Sequence, residues 1–190
     1  MTDLRIDAGR SALLVMDFQT AILERIAVGQ EGLLAATAGA IEAARRSGMR
    51  VIYVVVGFRP GFPEISPNNQ SFSALKASGG IAIDIHPRVA PAAGEVVITK
   101  HRVGAFMGTD LDMILRANAI STLLMCGIAT SGVVLSTLRY AADGDYRIIV
   151  LRDCCADMDP VVHACLMDQV FARQATVIDS TQFTGQIAEL

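Results

Sequence analysis

A chain of 190 residues, set against a usual domain size of about 150, accommodates one compact unit with a sizeable core. Apolar residues make up 52% and charged residues 18%, which excludes a disordered chain, a collagen or a polar linker. Sixteen Lys and Arg against nineteen Asp and Glu leave a net charge of −3 with no basic stripe, so nucleic acid is not an expected partner. Mean hydropathy is high at +0.45, yet the longest clean apolar runs, Val51–Val56 and Ile120–Cys126, are too short to cross a bilayer. The opening Met-Thr-Asp-Leu-Arg-Ile-Asp lacks the apolar stretch of a signal peptide, so a cytoplasmic protein is expected. Cys126, Cys154, Cys155 and Cys165 form no Cys-x-x-Cys, and His86, His101 and His163 lie far apart. Neither a disulfide framework nor a metal or cofactor site is expected from that spacing.

Six short apolar runs punctuate the chain: Ser11–Met16, Val51–Val56, Glu95–Thr99, Ser121–Cys126, Tyr146–Leu151 and Ala175–Ile178. They are continuous rather than alternating, the pattern of strands covered on both faces. After the first run, Leu33, Leu34, Thr37, Ile41 and Ala44 recur at helical spacing and stop at Ser47-Gly48, a helix C-terminus signal. From Gly57 to Gly94 the rhythm breaks, and five of the six prolines fall there. So long a connection reads as a functional lid or an interface arm, with a surface excursion lacking a role as the alternative. Thr109-Asp-Leu-Asp112 resembles a capping box ahead of a helix. Gly127–Val133 reads as a strand-to-helix turn with Thr130 or Ser131 as N-cap, its helix running through Leu138 to Ala142. Asp159-Pro160 offers an N-cap with proline at the first helical position. Strands alternating with helices predict an α/β protein, a three-layer α/β/α (Rossmann-like) fold with a parallel sheet, as a single domain over residues 1–190.

In open α/β sheets ligands bind at the carboxyl ends of strands, so the residues just past each run matter most. Asp17 follows the first run and Lys100 the third. A carboxylate at the lip of the sheet is costly unless paired or protonated. Burial raises its pKa and a neighbouring ammonium lowers it, and the sequence leaves open which prevails. Such a carboxyl is suited to general acid or base work; an end-of-strand Asp capping backbone is the competing reading. The helix start after Gly127 would present free N–H groups to an anion or oxyanion.

Asp17-x-Gln19, Lys100 ahead of Gly104-Ala-Phe106-x-Gly-Thr109-x-Leu111, and Gly127-Ile-Ala-Thr130 stand in one order along the chain. Together they resemble the isochorismatase-like cysteine hydrolase superfamily over nearly the whole length. The resemblance implies a six-stranded sheet of order 3-2-1-4-5-6, homodimers or homotetramers, and hydrolysis of a small molecule by an Asp–Lys–Cys triad. It also implies a cis peptide at Ile128–Ala129. The family's turn reads Gly-x-x-Thr-x-x-Cys, and counting from Gly127 puts Val133 where the cysteine belongs. Superfamily members named isochorismatases also lack the thiol, carry Gly there, and hydrolyse a vinyl ether by protonating an alkene carbon. Asp17 would do this here, with Lys100 and Gln19 orienting substrate or water, over a floor raised by the bulkier Val133. The family's metal-binding members carry Asp and His after the second strand; Gly57–Gln70 has no His, so no metal is expected.

The expected pocket is walled by Phe18, Phe58, Phe106, Ile128 and Val133, with Ala129 and Thr130 in the turn, while Lys100 and Arg102 face any substrate carboxylate. Phe106 reads equally as core. Arg59, His101 and Asn69 reach the site only if the long connection folds over it. Cys126 reads first as a buried hydrophobe, and Cys154, Cys155 and Cys165 as core or near-core. Three readings follow: a hydrolase working without cysteine through Asp17 and Lys100, a small-molecule-binding pseudoenzyme, and a thiol hydrolase using Cys126.

Overall fold

The computed structural model describes residues 5–26 and 29–188; Met1–Leu4, on which the signal-peptide expectation partly rests, lie outside it. All six runs are strands: β1 (Ser11–Met16), β2 (Arg50–Val56), β3 (Val96–Lys100), β4 (Thr122–Ile128), β5 (Arg147–Ala156) and β6 (Thr176–Ile178). They pair in parallel as one sheet of order β3-β2-β1-β4-β5-β6. Every residue of β1 and β4 is buried, which is why their sequences are apolar without alternation.

Helices cover both faces. The elements are α1 (Thr20–Leu23), α2 (Gln30–Arg46), α3 (Gln70–Ala77), α4 (Leu111–Ala117), α5 (Leu135–Asp143), α6 (Pro160–Cys165) and α7 (Ser180–Ala188). Successive strand residues point to opposite faces: Leu13 and Val15 join Leu34, Ile41 and Phe183 of α2 and α7 in one core. Ala12, Leu14 and Met16 join Leu111, Leu115 and Leu138 of α4 and α5 in the other. Among the described residues no helix is long and apolar enough to cross a membrane.

Helix ends follow local chemistry. Gly48, past the end of α2, has φ 76°, a conformation that glycine adopts at little cost. Asp159 caps α6 by accepting from the N–H groups of Val161 and Val162. Two details differ from the sequence reading. The connection at 57–94 is not structureless: it contains α3, capped by Asn69, whose Oδ1 accepts the Phe72 N–H at 3.2 Å. The chain enters α5 through a wide π-type turn, Thr130–Val134, with Ala129 at the N-cap and no side-chain cap. Thr130 and Ser131 are therefore not caps; their groups are engaged elsewhere.

Candidate active site

β1 ends at Met16, and Asp17 turns away with φ 60° while its N–H donates to the Val54 carbonyl at 2.8 Å. Lys100 ends β3, two strands away, and reaches back over the end of β2. Gly57, just past β2, is tightly packed: a Cβ there would meet Ile83 and Thr99 side-chain carbons at 2.9 and 3.0 Å. Lys100 Nζ lies 2.9 Å from Asp17 Oδ2 and donates to the Arg102 carbonyl at 3.2 Å. Both residues are buried, 2% and 5% exposed. Asp17 Oδ1 is buried with no hydrogen-bond partner, so one carboxyl oxygen is held and the other is free. Burial pushes the Asp17 carboxyl up to about 6, against the downward pull of the Lys100 ammonium. Desolvation outweighs the ion pair, which answers the question the sequence left open.

The third part comes from the end of β4. Gly127 packs so tightly that a Cβ would sit 3.0 Å from Val134 Cγ2 and 3.2 Å from the Met16 carbonyl; only glycine fits without displacing the turn. The Ile128–Ala129 peptide is cis. The turn that follows is tied to the β5–α6 region: Ser131 N–H donates to Asp157 Oδ2 at 2.7 Å, and Thr130 Oγ1 lies 2.8 Å from His163 Nδ1. Burial, with Arg152 nearby, lowers the His163 pKa, so the ring is largely neutral at pH 7.

Asp17 and Lys100 open onto a cavity of about 210 Å³ whose floor is Ile128, Ala129 and Val133. Phe72, Leu75 and Ile81 of the 57–94 connection form the opposite wall, and Ile22 and Arg25 close one side. The connection therefore does fold over the site. Polar side chains in the lining are limited to Asp17, Arg25, Ser71 and Lys100. Among the described residues, no three or more His, Cys, Asp or Glu gather as a metal cage.

This is a strand-end acid–base pair set against a glycine-initiated turn, on a sheet of order 3-2-1-4-5-6. The isochorismatase domain model matches residues 11–182. The chain belongs to the isochorismatase family. It is similar to a ureidoacrylate amidohydrolase of Azorhizobium caulinodans, 33% identical over 180 residues, spanning 84% of this chain and 79% of that protein. A Bacillus subtilis isochorismatase family protein is 29% identical over 191 residues, covering 98% and 99% of the two chains. Among solved structures, the N-carbamoylsarcosine amidase of Thermoplasma acidophilum superposes with a TM-score of 0.69 at 30% identity, over 90% of this chain and 96% of that one. The hydrolase fold of the isochorismatase family is thereby established for this protein.

Within this isochorismatase-family site, Asp17, Lys100, Ile128, Ala129 and Val133 converge on one cavity. Other residues expected to bind substrate do not line it. Phe18 is 1% exposed, in the core beneath α2 and α7. Phe106 is buried against α5, its ring stacked 4.5 Å from that of Tyr140. Thr130 is fully buried on His163. Gln19 holds the frame: its Nε2 donates to the carbonyls of Val56 and Ala82 at 3.0 and 2.6 Å, and its Oε1 accepts the Val56 N–H at 2.7 Å. Arg102 is spent on the carbonyls of Glu64 and His101. Phe58, Arg59 and His101 line a separate hollow of about 500 Å³, and Asn69 and Arg102 another of about 490 Å³.

Cys126, Cys154 and Cys155 are buried, and burial pushes the Cys126 and Cys155 thiols up. Cys165, expected near the core, is exposed: α6 buries no residue, and burial resumes only at Met167, within a second π-type turn, Leu166–Val170. Arg25, Ser71 and Met158 line the cavity without belonging to any sequence motif. They come from a short helix end, the long connection and a loop, where no periodicity signals a shared surface.

Proposed function

We propose that this protein hydrolyses a small organic molecule without a covalent enzyme intermediate, Asp17 acting as proton donor, and that the bond cleaved is a vinyl ether. One observation supports this reading above all: Asp17 carries an unpartnered, buried Oδ1 beside Lys100, at a cavity whose floor holds Val133. Valine supplies no nucleophile, so a thioester route through this position is closed. With its pKa raised to about 6, Asp17 keeps a protonated fraction near neutrality, and an apolar ligand that excludes water raises that fraction. Oδ1–H passes its proton to the terminal alkene carbon, and the π pair forms the new C–H bond. The oxocarbenium ion left behind takes up water, whose surplus proton returns to Asp17. The hemiketal then breaks its C–O bond, giving a carbonyl compound and an alcohol. Lys100 holds Oδ2, fixes the carboxyl's orientation and steadies its anion between turnovers.

Val133 also favours a second reading, a binding protein that keeps the pocket without turnover. A panel of vinyl ethers, amides and esters assayed with wild type and Asp17→Asn separates the two. The relatives named for amide cleavage make amides the necessary comparison. The expected result is vinyl-ether hydrolysis that drops about 10²–10⁴-fold in Asp17→Asn, the usual contribution of general acid catalysis. Binding with no turnover of any class establishes the pseudoenzyme; turnover of amides alone overturns the assignment of the bond.

A further inference from the structure

We infer that Arg25 is the anion anchor of this cavity, and that its ligand is a monoanion: an apolar body bearing one carboxylate at the end remote from Asp17. The inference rests on the proposed reaction only for which end of the ligand faces Asp17. The four polar lining side chains do not balance. Asp17 and Lys100 offset each other at 2.9 Å, Ser71 is neutral, and no second acid lines the space. The guanidinium of Arg25 is left as one uncompensated positive charge. Its side chain has no hydrogen bond or ion pair among the described residues, whereas Arg45, Arg59, Arg88, Arg116 and Arg152 are each matched with a carboxylate.

The segment carrying Arg25 is held in place. Arg25 N–H donates to the Ile22 carbonyl at 3.1 Å, and Leu23 and Ile26 on either side are buried. Gln30 Nε2 donates to the carbonyls of both at 2.9 and 2.6 Å. The two ends of the cavity also differ in depth, for Asp17 is buried and Arg25 exposed. Between them the walls are Ile22, Phe72, Leu75 and Ile81, which suit a hydrocarbon body. A guanidinium forms a bidentate, charge-assisted pair with a carboxylate, and at the mouth it does so without first losing a partner inside the protein.

The test measures binding of 3-phenylpropanoate and of its neutral isostere 3-phenylpropanamide by calorimetry. The proteins are wild type, Arg25→Gln and Arg25→Lys, all retaining Asp17 so that the Asp17–Lys100 pair stays balanced. Wild type is expected to prefer the carboxylate by about tenfold or more, the size of one charge-assisted hydrogen bond. Arg25→Gln erases the preference while leaving amide affinity unchanged, which also shows that the pocket is folded; Arg25→Lys retains part of it. Equal affinity for the two probes, a preference untouched in Arg25→Gln, or no carboxylate binding at millimolar concentration overturns the inference. The readout needs no turnover, so a failed hydrolase assignment shows itself in the substrate panel and a failed anion site shows itself here.

Discussion

At the scale of single residues, Asp17 sets the behaviour of the site and leaves a signature on stability. Its folded-state pKa of about 6 stands above the ordinary value of 3.8. Between those two values the folded protein keeps a proton that the unfolded chain has released. Asp17 therefore favours folding at low pH, and that contribution is lost as pH rises from about 4 to about 6. The shift corresponds to a loss on the order of 3 kcal/mol. Urea unfolding of wild type and Asp17→Asn across this window should show the difference between them changing by that order; a constant difference would show that the carboxyl titrates normally. The rate carries the same proton. If Asp17 is the donor, kcat/KM declines above about pH 6, and a profile that rises through this pH would make it a base instead.

At the scale of elements, the sheet and the three components of the site, Asp17, Lys100 and the turn after β4, were legible in the sequence. β1 was bounded to the residue and β2 within one, because runs buried on both faces leave no ambiguity of face. β5 was underestimated: Arg152 and Asp153 interrupt the apolar run, yet the strand continues to Ala156. Asp17 and Lys100 were legible because strand ends are few and a charge there is conspicuous. Phe18, directly after Asp17, lies in the core beneath α2 and α7, and Thr130, directly after Ala129, turns to His163; Phe106, which reads equally as core, proves to be core, stacked on Tyr140. Gln19 shows a subtler role, since a single amide joins β2 to the far end of the 57–94 connection. Gln19→Ala leaves the Val56 groups without that partner, at a cost of about 2–3 kcal/mol, and should speed hydrogen exchange around Ala82. Unchanged exchange there would mean that the wall is held by its apolar contacts alone.

At the scale of the whole molecule, the described residues form two separate cores, and three of the four thiols are sealed within the sheet region. Iodoacetamide should therefore modify the native protein once, at Cys165, and all four positions after denaturation, with native activity unaffected by the single adduct. Mass spectrometry of the intact protein reads both numbers; inactivation that tracks adduct formation at Cys126 would restore a thiol mechanism. The depth of the charges has a further consequence for traffic. A molecule can lead only with its uncharged end, since any formal charge going first must cross hydrocarbon walls before it meets the acid. Chemistry that created a new anion at the inner end would push its own product out against Asp17. On the proposed vinyl-ether route the products are a ketone and an alcohol, which supply no such push, and release would rest on the tail leaving Arg25.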